Sequence, residues 1–340
     1  MYRSHRYDDC LKEVRKKLKQ SSNSLHLLNY QAMAYSALKK DKDALLSYKK
    51  IIKQAPSLAG PYYNMGLILK RNGRVEEAIE SYTKAISLKP DYVQAYNNLG
   101  VLYKDNEKYE NAIKMFTKAK DLQPSHQNSY YNLALIKNEQ GLSEEAIELF
   151  FKVLELNPEH NDAKINATRI CNELGRVYRK LGKIEKSLSC HNKAIKINPE
   201  NPKNYYNIAI TFWEAERIKE AEENYRKAIL LDPKHIGSYH NLALIHQYRG
   251  QIKEGLSIAK EVLKFETSHP DINHIIGIMS LQIGLLAEGW KYFEYRWKAS
   301  QFNKITWPLQ DKSIWKGEKG KRVVVWKEQG LGDQIIFLSL

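Results

Sequence analysis

The segment YYNMGLILKRNGRVEEAIESYTKAISLKP, residues 62–90, decides the fold, because versions of it recur along the chain. Its first five residues return with changes at 96–100, 130–134, 205–209 and 239–243. Its closing proline recurs every 34 residues, at Pro56, Pro90, Pro124 and Pro158, and again in the pair Pro199 and Pro233. A fixed period of this length predicts a stack of similar structural units rather than a single globular core.

Each copy predicts two helices that pack against each other. A small residue such as Gly66 ends the tyrosine block, a second one such as Ala78 follows twelve positions later, and an aromatic residue such as Tyr82 comes four positions after that. Small residues let two helix axes approach, large apolar residues at helical spacing fill the space between pairs, and proline ends the second helix. The array is therefore predicted to be all-α, and its pairs must stack to bury their apolar faces.

These blocks resemble the tetratricopeptide repeat, and the resemblance implies a right-handed superhelix of helix pairs. The predicted array spans 25–300, and residues 1–24 are expected to form the second helix of a partial repeat. Pro158 and Pro199 lie 41 residues apart. The seven extra residues near 160–166 are expected to extend a helix and to change the superhelix pitch locally. The predicted repeats are 25–58, 59–92, 93–126, 127–160, 168–201, 202–235 and 236–269, with a divergent one at 270–300.

An asparagine occupies the same place in the first helix of most repeats, and first helices line the concave face of a tetratricopeptide superhelix. Tyr30 and Glu173 replace it in two repeats. A row of amides can hold an extended peptide backbone, because each amide offers both donors and an acceptor. The O-linked N-acetylglucosamine transferase family, which the array resembles, holds protein substrates with such a ladder. The alternative is that asparagine is only the commonest consensus residue here. The predicted peptide-binding residues are Asn64, Asn98, Asn132, Asn207 and Asn241.

The composition changes after about residue 285, where the aromatic content rises. Residues 301–320 are predicted to form a linker, and the run KRVVVW at 321–326 is typical of a buried strand. A loop with Gly330 and Gly332 follows, and Asp333 is placed to cap an apolar helix. A strand, a glycine loop and a helix N-terminus can bind an anion, such as a phosphate. NAD binding is disfavoured because Ile335 replaces the third small residue, and no Walker lysine follows.

The run from Trp290 to Asp333 resembles bacterial tetratricopeptide-repeat glycosyltransferases, in which the repeats lead into a two-lobed GT-B catalytic domain. Its last part is similar to the first βα unit of heptosyltransferases. The resemblance implies transfer of a sugar from a nucleotide donor to a protein or glycan hydroxyl, with Asp333 as the general base and no bound metal. In the alternative reading Asp333 only caps the helix. The fold class is thus a tetratricopeptide solenoid followed, over 321–340, by part of a Rossmann-like GT-B domain.

Leu340 falls inside the predicted C-terminal helix, and a lone βα unit cannot bury its strand or pair its edges. We therefore expect the sequence to be a fragment of a longer glycosyltransferase and to be inactive by itself. The complete enzyme would use a nucleotide sugar, and the repeats would recruit its acceptor. The main alternative is a non-enzymatic scaffold that assembles protein partners.

Charge and cysteine content limit the other function classes. The chain has 54 Lys and Arg against 39 Asp and Glu, a net charge of +15, of which residues 1–58 carry +8. A nucleic-acid-binding superhelix would carry its basic stripe through the middle, so nucleic-acid binding is disfavoured. Three scattered cysteines exclude a disulfide framework and a thiolate zinc site. No signal peptide or membrane-length apolar run is visible, so we predict a cytoplasmic protein without membrane contact.

Overall fold

The computed structural model describes residues 2–21 and 23–299, and in these ranges every regular element is a helix. Two short 3-10 segments, Val262–Lys264 and Glu294–Lys298, follow α15 and α17. The α-helices are α1 Tyr2–Gln20, α2 Leu25–Ala37, α3 Asp41–Gln54, α4 Ala59–Arg71, α5 Val75–Leu88, α6 Val93–Asp105, α7 Tyr109–Leu122, α8 Gln127–Glu139, α9 Ser143–Leu156, α10 Asn161–Lys180, α11 Ile184–Ile197, α12 Pro202–Glu214, α13 Ile218–Leu231, α14 Ile236–Tyr248, α15 Ile252–Glu261, α16 Pro270–Gln282 and α17 Leu286–Phe293.

The chain divides into two compact units, unit 1 from Met1 to Tyr248 and unit 2 from Arg249 to Leu340. In unit 1, α1 packs against α2, and each even-numbered helix from α2 to α12 pairs with the helix that follows it. The first helix of a pair has 13 residues and the second has 14, with α10 as the exception. Unit 1 is therefore a solenoid of helix pairs, as the repeat pattern predicts.

Each pair is held together by a ring on the second helix that lies against a small residue on the first. A Cβ atom on Gly66 would come within 2.6 Å of the Tyr82 ring, and one on Gly100 within 2.7 Å of the Phe116 ring. Both rings are fully buried. The aromatic and small positions of the repeat thus form the core of each pair, and a larger residue at either glycine would force the helices apart.

The turn inside each pair needs one residue with left-handed backbone. Gly73 supplies it between α4 and α5, with φ 70°, whereas Glu107 supplies it between α6 and α7, with φ 58°. In both turns a backbone N–H bonds to the carbonyl five residues earlier in the first helix, from Arg74 to Leu69 and from Lys108 to Tyr103. A non-glycine residue in this conformation costs about 1 kcal/mol, so Glu107 is a strained version of the same turn.

The seven extra residues lie in α10, which has 20 residues. Its N-terminal half packs on α9, where Ala163 and Ala167 are fully buried in the same cluster as Phe150. Its C-terminal half packs on α11, where Gly175 lies against the ring of His191. Seven residues are about two helical turns, so both halves present the same face of the helix. α10 therefore presents the face of a first helix twice, once to α9 with its N-terminal half and once to α11 with its C-terminal half.

A chain of buried and part-buried hydrogen bonds joins α10, α11 and α12. Nδ1 of His191 lies 3.1 Å from Oδ1 of Asn172, whose Nδ2 donates to Oδ1 of Asn204 at 2.7 Å. Nδ2 of Asn204 donates to the carbonyls of Ala194 (3.0 Å) and Asn198 (2.8 Å) at the end of α11. Because Oδ1 of Asn172 can only accept, this network assigns the proton of His191 to Nδ1. We call these three side chains and their contacts the polar joint.

Unit 2 is built around α16, whose residues Ile272, Ile276 and Met279 are fully buried. Gly277 lies directly against α17, since a Cβ atom there would come within 2.5 Å of the Phe293 backbone nitrogen. The ring of Phe293 also meets Trp290 edge-on, with ring centroids 5.6 Å apart. α16 and α17 thus pack as a helix pair through a glycine, like the pairs of unit 1.

Residues 301–340 lie outside the described residues. The predicted linker, the predicted strand and the predicted glycosyltransferase residues Gly330, Gly332 and Asp333 all fall in this range. No helix in the described part of the chain is both long enough and apolar enough to cross a membrane.

Candidate functional site

The first helices of unit 1 contact one another along the array. α6 contacts α8, and α10 contacts α12. Side chains bridge them as well, since Asn98 on α6 donates to Tyr63 on α4, and Arg179 on α10 pairs with Glu214 on α12. The first helices therefore lie on the inner side of unit 1, and we call their shared accessible face the inner surface.

Three rows of side chains form the inner surface: the asparagine and apolar rows have a member on most of the first helices, and the tyrosine row has a member on three of them. An asparagine row runs along it, a tyrosine row lies one residue earlier in the sequence, and an apolar row lies three residues later. The members are Asn64, Asn98, Asn132, Asn166, Asn207 and Asn241 for the asparagine row, Tyr63, Tyr131 and Tyr206 for the tyrosine row, and Met33, Leu67, Val101, Leu135, Ile210 and Leu244 for the apolar row.

Several asparagines of the row bridge one repeat to the preceding one. The amide nitrogen of Asn98 donates to the hydroxyl of Tyr63 (3.0 Å), and that of Asn241 donates to the hydroxyl of Tyr225 (3.1 Å). Asn64 forms a hydrogen bond with Tyr48, which is buried at the preceding pair. These bonds use the donor side of the amide, so the Oδ1 atoms of Asn64 and Asn98 keep acceptor capacity, whereas Oδ1 of Asn241 lies 3.2 Å from Nδ1 of His240.

One other asparagine of the row uses its amide within its own helix. Nδ2 of Asn132 donates to the backbone carbonyl of Asn128 at 2.9 Å, whereas at Asn207 it is the backbone carbonyl that accepts, from the hydroxyl of Thr211 at 3.3 Å. All five asparagines predicted from the sequence are partly exposed on the inner surface. The structure thus places them on one face, whereas their role in binding stays a prediction.

Each tyrosine of the row is held between two other rings. Tyr63 lies 4.8 Å from Tyr92 and 5.8 Å from Tyr82, measured between ring centroids. Tyr131 stacks on His160 at 5.0 Å in the same way. Burial raises the pKa of the Tyr63 phenol, with the Asn98 hydrogen bond acting in the opposite direction, so the phenol stays protonated at neutral pH. Because Asn98 donates to its oxygen, the O–H of Tyr63 remains able to donate to another group.

The apolar row leaves a line of hydrocarbon open to solvent. Leu67 is 40% exposed and Met33 is 51% exposed, and the other members are partly exposed. Neighbouring residues such as Gly66 and Ile68 are buried, so the row stands on the accessible edge of each helix. A line of exposed apolar side chains beside polar amides is typical of a binding surface.

Ion pairs occupy the end of the inner surface where the first helices terminate. Arg71 pairs with Asp41, Arg179 pairs with Glu214, and Lys104 lies 3.1 Å from Asp105. Burial lowers the pKa of Lys70, which precedes Arg71, and the negative charge of Asp105 opposes this shift. Two of these three pairs, Arg71–Asp41 and Arg179–Glu214, join neighbouring repeats.

The inner surface combines amide, phenol and apolar side chains. No group of three or more His, Cys, Asp or Glu side chains in the described ranges could hold a metal ion. Gly330, Gly332 and Asp333 lie outside these ranges, so the structure does not relate them to the asparagine row.

Sequence reasoning missed two features of this surface. Asn166 belongs to the asparagine row, although the predicted repeat boundaries gave that place to Glu173. Its 34-residue distance from Asn132 was the available signal, and the structure shows the matching contact, from Nδ2 of Asn166 to the hydroxyl of Tyr131 at 3.3 Å. The apolar row was also visible in the sequence, three residues after each asparagine.

Comparison with protein families gives matches over more than half of the chain, residues 68–160 and 175–267 combined. A model described as TPR repeat matches residues 68–106 and 175–216. Models described as tetratricopeptide repeat match residues 93–126, 127–160, 202–235 and 236–267. No curated protein matches the chain.

Solved structures of repeat proteins are similar to parts of the chain. A structure of MamA is 26% identical, covers 46% of this chain and 91% of its own, and has a TM-score of 0.43. YrrB, described as a TPR protein with an unusual peptide-binding site, is 24% identical, covers 57% of this chain and 96% of its own, and has a TM-score of 0.41. A tetratricopeptide repeat protein from Parabacteroides merdae is 18% identical, covers 75% of this chain and 98% of its own, and has a TM-score of 0.43. On its family matches and its helix pairs, the chain belongs to the tetratricopeptide repeat proteins.

Proposed function

We propose that the chain is a scaffold that binds an extended peptide segment of a protein partner on the inner surface of unit 1. One observation carries this proposal: the asparagine row and the apolar row run side by side, accessible to solvent, over most of the first helices. A surface needed only for packing would bury its apolar groups and satisfy its polar groups internally.

The asparagine row suits the backbone of an extended peptide, and the apolar row suits its side chains. Oδ1 atoms of the asparagine row, such as that of Asn98, can accept backbone N–H groups, and the Tyr63 hydroxyl can donate to a backbone carbonyl. The apolar row can contact alternate side chains, which point to the same side of an extended strand. Backbone bonds give affinity without selecting a sequence, and the apolar contacts add selectivity.

The test is to change Asn98, Asn132 and Asn207 to alanine together and to measure binding of peptides selected by the wild-type protein. We expect affinity to fall by about tenfold or more, because three backbone hydrogen bonds are lost. Far-UV circular dichroism should remain unchanged.

The control is Tyr225→Phe, which removes the partner of Asn241 within the protein at a buried site and keeps the amide. If the asparagines act only by bridging repeats, this variant and Asn241→Ala should lose stability alike, and neither should lose peptide affinity. Unchanged peptide binding by the triple variant would remove the asparagine row from the proposal. Failure of the wild-type protein to select any peptide would reject the function itself.

We further propose that, in a longer protein, the repeats present a bound acceptor to a GT-B glycosyltransferase domain that uses a nucleotide sugar. The support is the sequence from Trp290 to Asp333, with the glycines and the carboxylate in the order that heptosyltransferase-like units have. Asp333 would take the proton of the acceptor hydroxyl, and the reducing interior of the cell is the compartment that three unpaired cysteines fit.

This second proposal is tested first by sequencing the encoding DNA beyond the codon for Leu340. A continuation with alternating strand and helix patterns would support it, and a stop codon would favour a scaffold without enzymatic activity. In the longer protein, Asp333→Asn should abolish sugar transfer from a panel of nucleotide sugars and leave peptide binding to the repeats intact. Retained transfer would reject Asp333 as the base.

A further inference from the structure

The apolar row of the inner surface is interrupted at one helix only within the part of unit 1 that follows α1. Leu135 on α8 and Ile210 on α12 belong to the row, and α10 lies between them. Because α10 carries the first-helix pattern twice, the row position occurs twice on it, three residues after Asn166 and three residues after Glu173. Arginine occupies both places, as Arg169 and Arg176.

The two arginines differ in what they contact. Arg169 pairs with Glu173 on the same helix, with a nitrogen–oxygen distance of 3.1 Å. Arg176 is exposed and has no ion-pair partner among the described residues, and the same holds for Lys180 one turn further on. α10 thus presents positive charge to the inner surface where its neighbours present hydrocarbon.

The carboxylates that could neutralise Arg176 from the adjoining first helices are already engaged. Glu214 on α12 pairs with Arg179, and Glu139 on α8 is hydrogen-bonded by Tyr109. An unpaired guanidinium flanked by apolar contacts favours a carboxylate from the ligand, since its planar donors match that group.

On this basis we propose that the inner surface selects peptides with an acidic residue opposite α10 and apolar residues on both sides of it. The inference rests on the proposed peptide-binding function and names the class of ligand: an acidic residue contacts Arg176, and apolar side chains contact Leu135 and Ile210.

The two registers of α10 also order the motif. Arg169 continues the register of Leu135 and Arg176 continues that of Ile210, and the seven residues between them span about 10 Å of helix. The preferred motif is therefore an acidic residue with apolar residues on both sides, with the longer gap on the side that contacts Leu135.

The test is selection from a phage-displayed library of random peptides of about twelve residues, using the full chain as bait. The wild-type protein should enrich the apolar–acidic–apolar motif. Arg176→Glu should enrich peptides with a basic residue at the central place, because the sign of the contact is reversed. Lys193→Glu is the matched control, since it makes the same charge change on α11 at an exposed residue outside the inner surface.

Affinities of one selected peptide then measure the contact. Arg176→Glu should weaken the wild-type-selected peptide by about tenfold or more, and replacing the acidic residue of that peptide by lysine should restore binding to this variant. Lys193→Glu should change affinity by less than about twofold, because exposed charges beyond the contact are screened by salt.

Two outcomes would overturn the inference, and they differ in what else they reject. If Arg176→Glu selects the same motif as the wild-type protein, peptides bind but Arg176 does not choose them, and the proposed function survives. If no peptide is enriched by the wild-type protein, the proposed function fails and the inference fails with it.

Discussion

Two helix pairs, α4–α5 and α6–α7, differ from the polar joint in the ring that the second helix places against the first. We call these two the regular pairs. In the regular pairs Tyr82 and Phe116 lie against glycines, and the contact is made by carbon atoms alone. At the joint His191 lies against Gly175, and its ring is tied by a hydrogen bond to Asn172. Burial is equally complete in both places, since His191 is 1% exposed. The rings of the regular pairs and of the joint are therefore equally buried, and they differ because only the ring of the joint makes a directional hydrogen bond.

Hydrogen bonds can fix the position of a helix that carries the repeat pattern twice, as α10 does. The two copies of the pattern in α10 are seven residues apart, so sliding the helix by seven residues would leave apolar residues on its buried face. The hydrogen bonds of Asn172 and Asn204 exist in only one of these positions. We interpret the polar joint as the feature that fixes the position of α10, by analogy with polar residues that fix register in coiled coils.

The largest expected effect comes from breaking a regular pair. Phe116→Ala should destabilise unit 1 by about 3–5 kcal/mol, because a fully buried ring is removed and the rigid backbone around it cannot close the cavity. Urea denaturation followed by circular dichroism measures the loss. Leu230→Ala, at a side chain that is 72% exposed, is the control and should change stability by less than about 0.5 kcal/mol. A loss below about 1 kcal/mol for Phe116→Ala would show that the ring does not hold the pair together.

The second prediction separates the joint from the regular pairs by pH. Burial, assisted by Arg179, lowers the pKa of His191 from 6.5 to about 4. The unfolded chain then binds more protons than the folded chain between these values, so the contribution of His191 is complete above pH 6.5 and is lost as the pH falls towards 4. At about 1.4 kcal/mol per pKa unit, the loss is about 3 kcal/mol.

The measurement is the free energy of unfolding at several pH values for the wild-type protein and for His191→Phe, which restores a carbon-only ring. The difference between the two curves should change by about 3 kcal/mol between pH 7 and pH 4. The subtraction removes the contribution of carboxylates that titrate in the same range. Parallel curves would show that His191 does not titrate differently in the folded state.

The third prediction tests the hydrogen bonds of the joint. Asn204→Ala should cost about 2 kcal/mol, because the carbonyls of Ala194 and Asn198 and the amide of Asn172 lose a buried partner. Asn192→Ala, on the exposed face of α11, is the matched control and should be nearly neutral. If Asn204 fixes the position of α10, hydrogen exchange in α10 should also become faster in this variant. Equal stability and exchange in the two variants would reject the role given to the joint.

The smallest expected effect concerns the charged contact beside the joint. Arg179→Met removes the ion pair with Glu214 between α10 and α12, and Glu214 is exposed. We expect a loss of about 1 kcal/mol or less, together with a weaker dependence of stability on salt. Thermal unfolding at low and high salt measures both. A loss as large as that of Asn204→Ala would mean that charge, rather than the buried amides, holds this contact.

The repeat pattern was enough to predict most of the fold, because its periods are set by local geometry. The geometry of one helix pair sets the sequence spacing of Gly66, Ala78 and Tyr82. The copies of the repeat can therefore be aligned on one another without any structure. The asparagine row could be predicted for the same reason, since one residue per repeat must share a face. The glycosyltransferase unit rests on 321–340, outside the described residues, and stays a prediction.

The sequence by itself determined the helix pairs, their lengths and the face on which the asparagines stand, since these follow from spacing along one or two helices. Only the tertiary structure decided that Asn166 completes the row, that α10 is shared by two packing contacts, and that Arg176 interrupts the apolar row without an ion-pair partner among the described residues. These features depend on which of two overlapping registers each half of α10 adopts. That choice is made by packing against α9, α11 and α12, because the sequence pattern of α10 fits both registers.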